Sequence, residues 1–192
     1  MKIHALPLAG VFLVETAPFK DSRGEFCRLY CRRELAAVGV DTSIAQVNRS
    51  LTRSRGAVRG MHFQHAPMAE IKIVHCVRGR VFDVAIDLRE GSPTFLQWRA
   101  EELSSEAGTA MVIPEGCAHG FQVLEPNSEL LYLHTAPYSP EHEGGVRCTD
   151  PRVGIDWPLP PRDLSRRDQS LPMLAADFQG LPGYFAKQSP RR

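Results

Sequence analysis

Short β-type runs, cut at close intervals by glycine, proline and polar turn residues, fill most of this sequence and favour an all-β barrel or sandwich. Such runs fall at residues 10–15, 26–31, 43–50, 60–64, 70–78, 80–88, 94–102, 109–113, 119–123 and 129–135. Before the tail the one convincing helix covers residues 32–38, with Gly39 as its C-cap. Gly79, between Val77 and Val81, reads as a tight hairpin turn. Pro158, Pro160 and Pro161 mark the end of a barrel core at about residues 10–158, within a single domain spanning 1–192. The tail over 162–192 is expected to form a short helix or two outside the barrel, with residues 187–192 frayed.

Strand alternation sorts side chains onto faces, because residues two apart point the same way. His62 and Gln64 share a face, as do Glu70 and Lys72, Asp83 and Asp87, and Tyr132 and His134. The opposite faces (Ile71 and Ile73; Phe82, Val84, Ile86 and Leu88; Leu131 and Leu133) are almost wholly apolar. Two arrangements fit this pattern. Either the apolar faces pack outward and the lumen holds a polar site, or the polar faces meet solvent.

Composition narrows the partners. With 23 Lys and Arg against 22 Asp and Glu the formal net charge is +1, which gives no electrostatic case for nucleic acid or an anionic membrane. No run approaches the ~18 apolar residues of a membrane span. The cysteines (Cys27, Cys31, Cys76, Cys117, Cys148) are odd in number and form no C-x-x-C pair, so neither a disulfide framework nor a zinc ribbon is implied. These features predict a cytoplasmic protein acting on small molecules.

Gly56 is followed six residues on by His62, and a second stretch carries Gly108, Pro114, Gly116 and His119. This spacing resembles the paired half-motifs of a cupin barrel. A metal-binding cupin has a second histidine two residues after the first, where this chain has Gln64. No metal is therefore expected. A metal-dependent cupin would have to assemble its site from His62, Gln64, His119 and Glu70, and glutamine is a poor ligand.

A longer ordered set carries a more specific resemblance. It comprises Asp21 to Phe26, Gln46 to Ser50, Arg59 to Gln64, Lys72, Asp83 to Arg89 with Ser92 to Phe95, Ile113 to Phe121, Tyr132, Tyr138 to Glu141, Asp150-Pro151, Ile155 to Pro158, and Asp168. Together these stretches resemble the dTDP-4-dehydrorhamnose 3,5-epimerase family. The resemblance implies an all-β, cupin-type jelly-roll barrel with a few short peripheral helices, a homodimer, and no cofactor. It also implies a nucleotide-sugar substrate, inverted at the carbons flanking the ketone of a 4-keto-6-deoxyhexose.

Such chemistry needs a base for the α-proton, an electrophile for the enolate oxygen and an acid on the opposite face. By resemblance His62 is the base, Asp168 its hydrogen-bonded partner, Lys72 the cation at the enolate oxygen and Tyr132 the acid. Asp83, on a neighbouring strand, would hold Lys72 in place. Arg23, Arg59 and Arg167 suit a pyrophosphate, since guanidinium binds phosphate bidentately. Phe26 can stack on a base and Gln46 can hydrogen-bond one. Asn48 and Ser50 complete the substrate contacts, while His119 and Tyr138 line the sugar pocket. Gln64 is expected to form one wall of that pocket. His65, His75, His134 and His142 receive no role and are expected to be solvated.

One departure bears on the nucleotide. Two positions after Phe26 the family has an acidic residue and this chain has Arg28. A carboxylate accepts from a base N–H and guanidinium does not, so a CDP-linked sugar stands beside a dTDP-linked one. Whether C3, C5 or both are inverted is open as well, with a mono-epimerase as the alternative. A non-catalytic sugar-binding cupin would need no base and acid together.

Overall fold

A computed structural model describes residues 1–185. The chain opens with β1 (Lys2–Ala5), β2 (Phe12–Glu15) and a short ribbon of β3 (Phe19–Asp21) and β4 (Gly24–Phe26), then α1 (Arg32–Ala36). The barrel follows as β5 (Gln46–Thr52), β6 (Val58–Gln64), β7 (Lys72–Arg78), β8 (Arg80–Asp87), β9 (Trp98–Ser104), β10 (Thr109–Ile113), β11 (Cys117–Val123) and β12 (Ser128–His134). A 3-10 turn at Pro140–His142, β13 (Glu143–Gly145) and α2 (Arg166–Ser170) complete it. The strands form a six-stranded sheet, β1-β2-β10-β7-β12-β5, and a five-stranded sheet, β13-β6-β11-β8-β9. All pairings within these sheets are antiparallel, and the architecture is the expected all-β jelly roll.

The inverted alternation has a structural cause. The apolar outer face of the six-stranded sheet, with Val14, Ile73, Val112 and Leu133, packs under Leu35 of α1 and Val40. The outer face of the five-stranded sheet, with Val58, Val84, Ile86 and Ala118, is covered by Val146, Cys148, Leu181 and Tyr184 of the C-terminal segment. Between the sheets lies a third cluster including Val74, Val81, Met111, Phe121 and Leu130, and Tyr132 packs against it. Apolar burial on three layers leaves one region of the lumen free for polar groups. The polar faces therefore point inward, with Asp83 at 0% and His119 at 5% exposure.

Several sequence expectations need correction. Gly79 is not a hairpin turn: β7 and β8 belong to different sheets, and Gly79, at φ +73°, carries the chain from one to the other. Of residues 26–31 only Phe26 is in a strand, and the chain then runs irregularly into α1. Residues 94–97 form a turn, held where the Thr94 and Ser92 hydroxyls donate to the Asp87 carboxylate. The strands β1, β3 and β13 were not anticipated, and α1 ends at Ala36 with Ala37, in place of the expected Gly39, as its C-cap. Beyond residue 162 one five-residue helix, α2, forms among the described residues, and the rest of the tail covers the sheet as irregular chain. The frayed end expected at 187–192 lies outside the described residues.

Candidate active site

The site begins at a close approach of two strands. Gly60 has φ +128°, and a Cβ built there would stand 2.6 Å from the Cα of Gly120. Glycine at both positions lets β6 and β11 come together, and a register irregularity follows between His119 and Phe121. His62 and His119 are direct cross-strand partners in this pair. On the facing sheet, β12 sets Tyr132 opposite Asn48 of β5 and His134 opposite Lys72 of β7.

These strands enclose a cavity of about 840 Å³, which suits a ligand of nucleotide-sugar size. His62, Lys72, His119, Tyr132 and Asp168 line it together with Asn48, Ser50, Arg59 and Arg167. Its walls also carry Arg49 and Arg53, so five cationic side chains (Arg49, Arg53, Arg59, Lys72, Arg167) face two carboxylates, Asp163 and Asp168. That excess favours an anionic ligand.

His62 Nε2 lies 2.7 Å from Asp168 Oδ1. Asp168 is 3% exposed and sits in the first turn of α2, where its backbone N–H donates to the Ser165 hydroxyl that caps the helix. Burial alone raises its carboxyl, but hydrogen bonding and charge from His62, with Ser165 and the Gly60 backbone, bring it below the usual carboxylate range. With Nε2 donating to Asp168, Nδ1 of His62 is left with the lone pair.

A second histidine–carboxylate pair lies beside the first. His119 Nε2 is 2.7 Å from Asp83 Oδ1, and both residues are buried. Burial pushes the His119 imidazolium form down and the Asp83 carboxyl up, each opposed by the other. Asp83 thus holds His119, where the sequence reading had it hold Lys72. The ion-pair partner of Lys72 is Glu70, at 3.3 Å.

The Tyr132 hydroxyl is 2.9 Å from Ser50 Oγ, and its ring meets His119 edge-on at 6.2 Å between centroids. Burial raises its phenol well above the ordinary value. The group therefore stays protonated at neutral pH.

Arg59 is oriented by its Nε donating to Thr52 Oγ1 at 2.9 Å, and Arg167 is paired with Glu143. Four other expected contact residues do not line the cavity. Arg23 and Phe26 lie on the β3–β4 ribbon, which joins neither sheet; Arg23 bonds its own Asp21, and Phe26 is 74% exposed. Gln46 accepts from the Tyr138 N–H at 3.0 Å, and the Tyr138 hydroxyl donates to Glu143.

Gln64 forms no wall of this cavity. Its amide donates to the Met68 and Pro137 carbonyls and accepts from the Ser139 N–H, tying two loops together. The residues a metal-dependent cupin would need are each engaged elsewhere: His62 on Asp168, His119 on Asp83, Glu70 on Lys72 and His134. Among the described residues no group of three or more His, Cys, Asp or Glu is placed to hold a metal ion. Among the same residues, no helix is long and apolar enough to cross a membrane.

His134 was missed. It is 9% exposed, lines the cavity and bonds Glu70, and its shared face with Tyr132 was the available signal. His75 was expected in solvent and is 3% exposed.

Known proteins carry the same framework. A family model described as dTDP-4-dehydrorhamnose 3,5-epimerase matches residues 5–176. A dTDP-4-dehydrorhamnose 3,5-epimerase of Sinorhizobium fredii is 42% identical over 175 residues, covering 91% of this chain and 90% of the relative. A dTDP-4-dehydrorhamnose 3-epimerase of Streptomyces niveus is 39% identical, covering 98% of this chain and 92% of the relative. The crystal structure of the 3,5-epimerase from Bacillus anthracis, with TDP and PPi bound, superposes with a TM-score of 0.87 at 37% identity, covering 90% of this chain and 99% of that one. The family match spans most of the described chain, the solved structure shares its fold, and the chain belongs to the dTDP-4-dehydrorhamnose 3,5-epimerase family.

Proposed function

We propose that the protein inverts the carbons flanking the ketone of dTDP-4-dehydro-6-deoxyglucose, giving dTDP-4-dehydrorhamnose. His62, through Nδ1, removes the α-proton; the C–H electron pair becomes the enolate, whose oxygen meets the Lys72 ammonium; Tyr132 returns a proton to the opposite face. Asp168 balances the imidazolium that forms on His62. The protons held by His62 and lost by Tyr132 exchange with solvent before the next turnover. His119, fixed by Asp83, contacts the sugar between them, and Arg59 and Arg167 take the pyrophosphate with Asn48 and Ser50 alongside. The observation that carries this reading is the His62–Asp168 pair on the wall of the cavity that also holds Lys72 and Tyr132.

The nucleotide is assigned to dTDP from the relatives. Arg28 supports no change of base within one chain, because its guanidinium is 2.7 Å from Glu34 and does not line the cavity. The expected contacts Arg23 and Phe26 favour a homodimer in which the exposed ribbon of one copy reaches the cavity of the other. The whole chain acts as one domain in this reading.

A second reading, inversion at C3 alone, is favoured by the 3-epimerase relative that covers nearly the whole chain. One experiment separates these. The protein is incubated in D₂O with dTDP- and CDP-linked 4-keto-6-deoxyglucose, and deuterium is located by NMR. Wash-in at C3 and C5 of the dTDP sugar is expected; wash-in at C3 alone selects the mono-epimerase. Absence of wash-in with both substrates overturns the epimerase reading.

A further inference from the structure

Glu70 has no part in the scheme above, yet its side chain is 9% exposed and both of its oxygens are engaged. Oε1 lies 3.3 Å from Lys72 Nζ, and Oε2 lies 2.7 Å from His134 Nδ1. Lys72 and His134 are themselves cross-strand partners between β7 and β12. If His134 Nδ1 donates to the carboxylate, its Nε2 is an acceptor, 3.4 Å from Asn48 Nδ2. The other carboxylate oxygen, Oε1, is left to face the Lys72 ammonium.

The location of Glu70 limits how it can act. It does not line the main cavity, whereas Lys72 and His134 do. With Lys72, Gln64 and His119 it borders a separate void of about 10 Å³. That volume is about the minimum for one water molecule, far too small for a sugar. Any effect of the carboxylate on a ligand is therefore transmitted through its two partners. A lysine ammonium on its flexible four-carbon stem needs such an anchor to hold one position. Asp83, the other buried carboxylate near Lys72, is spent on His119.

We propose that Glu70 is a positioning residue, which fixes the Lys72 ammonium on the cavity wall and locks the His134 ring beside it. This rests on the assignment of Lys72 to the enolate oxygen. Its consequence is a loss of turnover without a matching loss of binding when the anchor is removed.

The test combines Glu70→Gln, Glu70→Asp and Lys72→Met with one readout that needs no turnover. Glu70→Gln is expected to lower kcat for deuterium wash-in by about 10- to 100-fold, with KM changed by less than about threefold. In the Lys72→Met background the same substitution adds less than about twofold, since its target is gone. Glu70→Asp keeps the charge but withdraws it by one methylene, and a folded Glu70→Asp protein with lowered kcat supports the same conclusion. The chain has four lysines, Lys2, Lys20, Lys72 and Lys187, so ¹³C-lysine labelling resolves Lys72 directly. Its ε-carbon signal is expected to narrow on Glu70→Gln as the side chain gains freedom. Unchanged kcat in folded Glu70→Gln, or a full extra loss in the Lys72→Met background, overturns the proposal. If the wild-type protein shows no wash-in, it is the epimerase reading that fails; an unchanged Lys72 signal in Glu70→Gln separately overturns the anchor.

Discussion

Nε2 of His62 and Oδ1 of Asp168 stand 2.7 Å apart, although 106 positions separate them in the chain. The contact depends on α2 docking near β6 with Ser165 as its cap, so a helix of five residues sets the geometry of the proposed base. His62→Asn is expected to lower deuterium wash-in by at least about 10³-fold and Asp168→Asn by about 10²-fold, within the range of general base catalysis. Retention of the wild-type rate by His62→Asn would show that another group removes the proton.

Tyr132 separates proton removal from inversion. Its hydroxyl bonds Ser50, and its raised phenol keeps the proton until a strong base such as an enolate forms. In Tyr132→Phe the enolate still forms at His62 but is reprotonated from the same face. Wash-in should persist within about tenfold while inverted product falls by about 10²-fold or more. NMR of the recovered sugar reads both at once, and equal loss of exchange and inversion would argue against the acid role.

Much of the barrel was legible because its central strands alternate cleanly. The strands around Lys72, Asp83 and Met111 were found where expected. The inward polar face could not be chosen over a solvated one until α1 and the C-terminal segment were seen covering the outer faces. Gly79 was misread for a physical reason: a glycine at positive φ serves a hairpin or a crossing between sheets equally well, and only partner strands distinguish them. Asp168 was assigned by family resemblance, because no local pattern joins it to His62. His134 shared a visible face with Tyr132, but its partner Glu70 lies 64 positions away. Arg23 and Phe26 were readable as motif residues, whereas their place outside the cavity follows from a ribbon that pairs with neither sheet.

The approach of β6 to β11 predicts an intolerant pair of glycines. Gly60→Ala forces both a left-handed φ and a 2.6 Å contact with the Gly120 backbone. Gly120→Ala meets the Met61 sulfur at 2.5 Å and the Arg59 carbonyl at 2.7 Å. Gly60→Ala is expected to destabilise by about 3 kcal/mol or more, since strain and overpacking act together. Urea denaturation measures this, and a loss below about 1 kcal/mol would mean that the strands separate easily.

His75 predicts a pH dependence of stability independent of the active site. It is 3% exposed on β7, its Nε2 has no hydrogen-bond partner among the described residues, and burial pushes its imidazole down to about 4 from 6.5, partly offset by a hydrogen bond to the Leu29 backbone. As pH falls the unfolded chain takes up this proton before the folded one, so stability rises with pH across that interval. The contribution is fully present above about 6.5 and declines to a floor below about 4, by up to about 3 kcal/mol. Asn keeps a donor for Leu29 without a group that titrates. His75→Asn should therefore flatten the decline in unfolding free energy between pH 6.5 and 4, whatever it does to the value at pH 7. Urea denaturation of both proteins across that range supplies the comparison, and parallel curves would show that His75 does not carry the acid sensitivity.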